Sequence, residues 1–287
     1  MKKKKKGSGN ATTFLLILMM VAGLSLMLYP TISDWWNSKH QSRAVATYAE
    51  HVIEIDEEAY QKLWDEAVAF NEQLKQFPSG MALPDSMVEE YKRMLAVDDS
   101  GIMGSVEIPA IKVSLPIYHG ISDDVLQVAI GHLDWTSLPT GGKGNHCVIS
   151  GHRGLPSAKL FTHLDQLREG DVFMLRVLNE VLTYEVDQIL IVEPDELQAL
   201  YRNEKKDYCT LMTCTPYGVN SHRLLLRGHR IKNLSDADFA RVSADALQIE
   251  PFVVAAFIAV PMLLIALIVL LWPKRKSQIE GIEDDEI

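Results

Sequence analysis

The chain has 287 residues, 47% of them hydrophobic, and a formal net charge of -10. That length suffices for one good-sized domain with flanking elements, and the acidic balance argues against a nucleic-acid partner. Three cysteines, Cys147, Cys209 and Cys214, make no disulfide framework, and an odd count leaves at least one thiol free.

Lys2 to Lys6 precede an apolar run, Phe14 to Tyr29. A hydrocarbon core about 30 Å thick takes roughly 20 apolar residues of helix. The run reaches that length with Ala11 to Thr13 and Tyr29. No Ala-x-Ala cleavage site follows it, and Pro30 with Trp35-Trp36 reads as an interfacial belt. An uncleaved anchor is therefore expected within residues 1–32.

Residues 33–99 form a helical extension. Val52, Ile55, Ala59, Leu63, Ala67 and Phe70 recur at helical steps, which predicts a helix over 33–75. It packs on the following domain or stands as a stalk from the membrane. A breaker-rich loop, 77–87, and a short helix, Val88 to Leu95, come next.

From 100 to 235 the pattern turns to short strands. They are Val106–Ile108, Ile111–Leu115, Pro116–His119, Cys147–Ser150, Val172–Val177, Val181–Val186, Gln188–Val192, Tyr208–Thr213 and Leu224–Arg227. Strands of four to six residues between turns predict a closed or nearly closed barrel. Asn179-Glu180 reads as a hairpin turn, and Val125 to Ile130 and Ala158 to Leu167 as short helices. Residues 236–250 are a linker.

Phe252 to Trp272, about 21 apolar residues with Pro261 inside, makes a second span within 251–273. Lys274-Arg275-Lys276 opens the tail 274–287. Both basic clusters lie on the terminal side of their apolar blocks. The positive-inside rule then predicts both termini in the cytoplasm and residues 31–250 outside.

Two segments carry chemistry. Thr210-Leu211-Met212-Thr213-Cys214 delivers a cysteine to the turn Thr215-Pro216-Tyr217-Gly218, and Arg223 stands at the start of the next strand-like run. Val148-Ile149-Ser150-Gly151-His152-Arg153-Gly154 delivers a histidine to a second turn. A thiol is a nucleophile as thiolate, and nearby positive charge favours that form. A fixed guanidinium suits an oxyanion, since it stays charged and presents a planar fork of donors. His152 suits proton transfer to a leaving amine and from an incoming one. If water resolves the thioester the enzyme is a protease; if an amine does, it is a transpeptidase. Cys147 and Cys209 read as buried hydrophobes, or as a bridge that leaves Cys214 free. His146, His222 and His229 read as structural. No metal cluster is visible, and no cofactor is expected.

These segments resemble the sortases, cysteine transpeptidases of Gram-positive cell surfaces, over about residues 100–232. Thr210-Leu211-x-Thr213-Cys214 with Arg223 matches the family's TLxTC segment and downstream Arg, and His152 its strand-end His. The wording Ser150-Gly151-His152-Arg153-Gly154, the run Cys214 to Arg223 and the second apolar block look like class C, the pilin-specific branch. The resemblance implies a mostly β fold: an eight-stranded sortase-type β-barrel with short helices, behind an N-terminal helical extension and between two transmembrane helices. It implies His152, Cys214 and Arg223 as catalytic residues. It further implies cleavage of an LPxTG-like sorting signal between Thr and Gly, a thioester on Cys214, and transfer to a lysine of another pilin subunit. Thr213 and Ser150 are expected to line the substrate groove. The alternatives are a sortase that anchors surface proteins to the peptidoglycan precursor, a membrane-bound cysteine protease, and a non-catalytic adhesin. Many class C enzymes carry an Asp-Pro-aromatic lid. Here Leu83-Pro84-Asp85-Ser86-Met87 keeps Asp85 without the Pro and aromatic, and Met87 fills the apolar role only in part. The lid is then degenerate, or the site is open.

Overall fold

The short alternating runs close on themselves. The computed structural model describes residues 8–234 and, in the second apolar block, Ala259, Pro261, Met262, Leu263 and Ile265, which are helical. The expected basic tail, linker, most of the second span and the C-terminal tail lie outside the described residues. Two units are distinguished, one containing residues up to Tyr29 and the other beginning at Pro30.

The N-terminal helix α1 is Ser8–Glu54, with Pro30 inside it. The helix runs on from the expected anchor, 1–32, into the extension: the proline removes one hydrogen bond, which a 47-residue helix tolerates. Among the described residues one helix, Thr13–Glu54, is long and apolar enough to cross a membrane. The helix expected over 33–75 is broken in two. Asp56 caps α2, Glu57–Leu74, by accepting a hydrogen bond from the Ala59 N–H at 2.8 Å, and an N-cap residue lies outside helical geometry. Helix α3, Asp85–Tyr91, starts three residues before the expected Val88.

The strands are β1 Ile102–Ile108, β2 Val113–His119, β3 Ile130–His132, β4 Asn145–Ser150, β5 Val172–Val177, β6 Glu180–Val192, β7 Asp207–Thr215 and β8 His222–Arg230. They form a closed barrel in the order β1-β2-β3-β4-β7-β8-β6-β5, and β5 pairs back to β1. The pairs β2/β3 and β4/β7 are parallel and the others antiparallel.

Three local expectations are corrected. Ile130 starts β3 rather than ending a helix, because it pairs with Ile117 and is fully buried; the helix there, α4, is only Asp123–Leu126. The helix expected over Ala158 to Leu167 is an irregular loop with one 3-10 turn, Leu164–Gln166. Leu160 has a positive φ of 39°, which an α-helix excludes, while Phe161 and Leu164 are fully buried. The two runs on either side of Asp187 are one strand, β6, with a register shift between Val186 and Gln188. The hairpin from β5 to β6 turns through Leu178 and Asn179, since Val177 pairs with Glu180.

The barrel interior belongs to the main core, with Val106, Ile108, Ile117, Ile149, Leu175, Leu211 and Leu226 all fully buried. A satellite cluster of Leu133, Val148, Leu200 and Leu225 lies on the other face of β4 and β8, packed by Met212, Leu190, Val192 and Leu197. Strand side chains alternate between faces. On β7, Cys209 and Leu211 are interior and Met212 is exterior. By the same period Thr213 and Thr215 face in, and Cys214 faces out.

Polar side chains fasten helix α2 to the barrel: Tyr60 donates to Glu180 Oε1 at 3.0 Å, and one buried residue, Asn71, makes three hydrogen bonds. Buried Asn71 donates to the Leu138 carbonyl and to Thr140 Oγ1, and accepts from the Leu138 N–H at 2.7 Å. Removing it orphans buried backbone groups. Asn71→Ala is expected to lower the unfolding free energy by about 2–3 kcal/mol, read by chemical denaturation, whereas Glu72→Ala on the exposed face of the same helix is expected to change it by less than about 0.5 kcal/mol.

Candidate active site

Parallel pairing of β4 with β7 sets Ser150 opposite Met212. The pairing continues past the end of β4: the Gly151 N–H donates to the Met212 carbonyl at 3.1 Å, and Thr213 Oγ1 donates to the Gly151 carbonyl at 2.7 Å. The next step of that register places His152 beside Cys214. Glycine is required at 151, since a Cβ there would lie 2.7 Å from Ile130 Cγ2 and 2.8 Å from the Phe161 ring. Across the other edge of β7, Cys214 is the direct partner of Arg223 on β8. Cys214, His152 and Arg223 therefore lie at the same end of three neighbouring strands, and each is half-buried.

The alternation that turns Cys214 outward also turns Arg223 outward, because Leu224 is in the main core and Leu225 in the satellite cluster. Ser150 and His152 follow on the same face, since Ile149 is interior and Val148 exterior. Arg223 Nη1 donates to the carbonyls of Asn220 at 3.3 Å and His222 at 3.2 Å, which ties the guanidinium to the β7–β8 turn. No carboxylate pairs with it among the described residues. Cys214 is a free thiol.

The other expected residues are placed as follows. Ser150 is half-exposed at the end of β4. Thr213 is buried, 1% exposed, and its hydroxyl holds the Gly151 carbonyl, so it acts on the site from behind. Asp85 is exposed at the first residue of α3, and Met87 is buried in the main core. Neither has a hydrogen bond or ion pair to Cys214 or Arg223 among the described residues. Cys147 and Cys209 are both free and buried as direct partners across β4 and β7, so the alternative of a bridge does not hold. His222 Nε2 lies 3.2 Å from Glu193, and His229 Nδ1 3.9 Å from Asp187.

One residue escaped the sequence reading. Arg153, next to His152, donates from Nη1 to Thr215 Oγ1 at 3.2 Å and forms an ion pair with Asp165. It thus ties the residue after the histidine to the residue after the cysteine. Its position inside the Ser-Gly-His-Arg-Gly run was the available signal.

The sortase domain model matches residues 106–231. Among solved structures, sortase C1 of Streptococcus agalactiae is 48% identical with a TM-score of 0.65, over 67% of this chain and 99% of that one. Sortase C of Streptococcus pneumoniae, whose structure was described as informative on catalysis and pilin substrate specificity, is 44% identical with a TM-score of 0.61, over 67% and 97%. The chain belongs to the sortase family. Its structural neighbours put it in class C. Curated relatives are more distant: sortase D of Bacillus subtilis is 30% identical over 45% of this chain and 63% of its own length, and sortase A of Streptococcus agalactiae 29% over 40% and 47%. The chain spans less than two thirds of the length of these curated relatives.

The face that carries Cys214 in this sortase is roofed by the β6–β7 connection, and a buried histidine pins that roof. His146 Nδ1 donates to the Tyr201 carbonyl at 3.1 Å, and Nε2 accepts from Thr210 Oγ1 at 2.7 Å. Burial, with the Arg227 cation acting in the same direction, pushes the His146 pKa down to about 4. The unfolded chain binds this proton near pH 6.5 and the folded one only near pH 4, so stability is full above 6.5 and falls as pH drops toward 4. Between pH 7 and pH 5 the loss is expected to be about 2 kcal/mol from this group. Denaturation at a series of pH values should show a flatter profile for His146→Gln than for the wild type.

Proposed function

We propose that this sortase is a membrane-anchored cysteine transpeptidase that polymerises pilin subunits. The observation that carries the reading is the direct pairing of Cys214 with an Arg223 that no carboxylate neutralises, with His152 on the adjoining strand end. The likeness to class C structures at 44–48% identity supports the pilin branch.

In the reaction so proposed, the Cys214 thiolate attacks the carbonyl carbon between Thr and Gly of an LPxTG-like signal. Negative charge develops on the carbonyl oxygen, and the Arg223 fork donates to it. The C–N bond breaks as the His152 imidazolium gives its proton to the leaving amine, and a thioester on Cys214 remains. A pilin lysine, as free amine, then attacks the thioester. His152 takes the amine proton, the C–S bond breaks, and an isopeptide bond forms as the thiolate is restored. Ser150, on the same face, borders the groove in this reading, and Thr213 fixes the histidine turn. Leu83 and Met87 are anchored in the core, so the 77–87 stretch is read as a packed linker and the site as open to peptide. The first apolar helix anchors the enzyme, the second block gives a further span, and both termini are cytoplasmic with the barrel outside.

The full chain incubated with an LPxTG-type peptide and a lysine-bearing acceptor is expected to give a Cys214-linked acyl adduct by mass spectrometry that passes to the lysine. Cys214→Ala is expected to give no adduct; an adduct retained on that variant would sink the assignment. Resolution by water alone would make the enzyme a protease.

Arg223→Lys keeps the charge but loses the fork. A fall of about 10²-fold or more in acylation rate is expected, and near wild-type turnover would rule out the oxyanion role.

A further inference from the structure

The outward face of the Cys214 strand end is not its only concavity. On the interior side, at the mouth of the barrel, a cavity of about 340 Å³ is lined by Arg153, Leu164, Leu167, Ile189, Ile191 and Leu224, with Asp165 and the Thr215–Tyr217 segment at its edge. Ile189 and Leu224 belong to the barrel core, whereas Cys214 and Arg223 face the satellite cluster on the opposite side of the same strands. The cavity and the thiol are thus separated by one residue along β7: Cys214 turns out, and Thr215 turns in and lines the cavity.

Three features mark this cavity as built for a ligand. The Arg153 side chain is only 9% exposed, and its Nε is buried without a hydrogen-bond partner, a donor that costs free energy unless something accepts from it. The walls are aliphatic, and Ile191, 64% exposed, stands at the rim beside the exposed Tyr217. A carboxylate also stands at the edge: Asp165, paired with Arg153, is 45% exposed.

We infer that this barrel-mouth cavity is the acceptor subsite, and that it takes an apolar side chain of the peptide flanking the acceptor lysine. The backbone carbonyl of that segment accepts from Arg153 Nε, and the Asp165 carboxylate at the edge attracts the cationic lysine. The lysine itself crosses the Thr215–Pro216 rim to reach the thioester on the outer face. This assignment rests on the transpeptidase reading. It follows from the geometry of two substrates: the peptide acylating Cys214 occupies the outward face, so the second amine must approach from a side that the first leaves free. The Arg153 bond to Thr215 then makes Arg153 a positioning residue for both halves of the rim.

The test uses the full chain with an LPxTG-type peptide as donor and three acceptors: hydroxylamine, a lysine peptide with leucine at its flanking positions, and the same peptide with glycine there. For the wild type the leucine-flanked peptide should have a KM at least tenfold below that of the glycine-flanked one. Ile191→Asp, at an exposed rim position that leaves the core intact, is expected to raise the KM for the leucine-flanked peptide at least tenfold. Acylation of Cys214 and resolution by hydroxylamine should stay within twofold of wild type. Ile191→Ala, the second variant, is expected to raise the same KM with Cys214 still acylated. Equal transfer to both peptides, or unchanged transfer by Ile191→Asp, overturns the subsite. An equal fall in acylation and transfer also overturns it, and moves the cavity to the donor peptide. Absence of any thioester on the wild type instead overturns the transpeptidase reading, and the subsite with it.

Discussion

The parallel pairing of β4 with β7 is the constraint on which the site depends. Parallel strands need long connections, and the 56-residue interval between Ser150 and Asp207 contains β5, β6 and the roof. Nothing local brings His152 to Cys214. The pairing does so through register alone, and it is prolonged beyond the last ladder residue by the Gly151 N–H and by the Thr213 hydroxyl. Because side chains alternate with a period of two, a slip of one residue would turn Cys214 into the barrel and Thr213 outward. The buried Cys147/Cys209 and Ile149/Leu211 pairs prevent that slip, since it would drive their side chains out of the core. The buried Cys147/Cys209 pair thus helps to fix the register that turns Cys214 outward.

Electrostatics separates Arg223 from the other strand arginines. Four arginines lie on the strands. Arg176 faces Glu107, Arg227 faces Asp187, and Arg230 lies 3.9 Å from Asp207. Among the described residues Arg223 has only backbone carbonyls as partners. A carboxylate partner would satisfy much of the guanidinium and compete with any developing oxyanion. The carbonyl contacts orient the group while leaving its charge whole, which is the preorganised state that transition-state stabilisation requires. The nearby carboxylates are taken up by other cations, Glu193 by His222 and Asp165 by Arg153.

Much of this was legible in the residues. The alternating runs of β5 and β7 and the turn chemistry around Cys214 and His152 suffice to place a cysteine, a histidine and an arginine at strand ends. What escaped depends on non-local partners. β3 has three residues, too few to show a period, and exists because β2 pairs with it. The break before α2 involves neither Gly nor Pro; it is made by the Asp56 carboxylate competing for the backbone. The Asp187 position read as a gap between two strands, whereas pairing with β8 carries on through it as an irregularity with Arg227 as its partner. The Arg153–Asp165 pair joins residues across a loop that composition read as helix, so no spacing rule reveals it. The residue types of a site are set by chemistry and are visible in sequence, while the residues that hold them are set by contacts between segments.

A strand end is a suitable place for an enzyme that must pass an acyl group between two peptides. Along the body of β7 the interior is filled by side chains and only one face is accessible. At Thr215 the packing stops, and the two faces become accessible within one residue of each other. A thiol placed one position earlier can be acylated from outside while its carbonyl carbon stays reachable over the rim. Water reaches the same rim, so transfer rather than hydrolysis requires that an amine be held there at high effective concentration. In the acceptor reading, the second amine arrives at the mouth where the buried Arg153 Nε has no hydrogen-bond partner among the described residues.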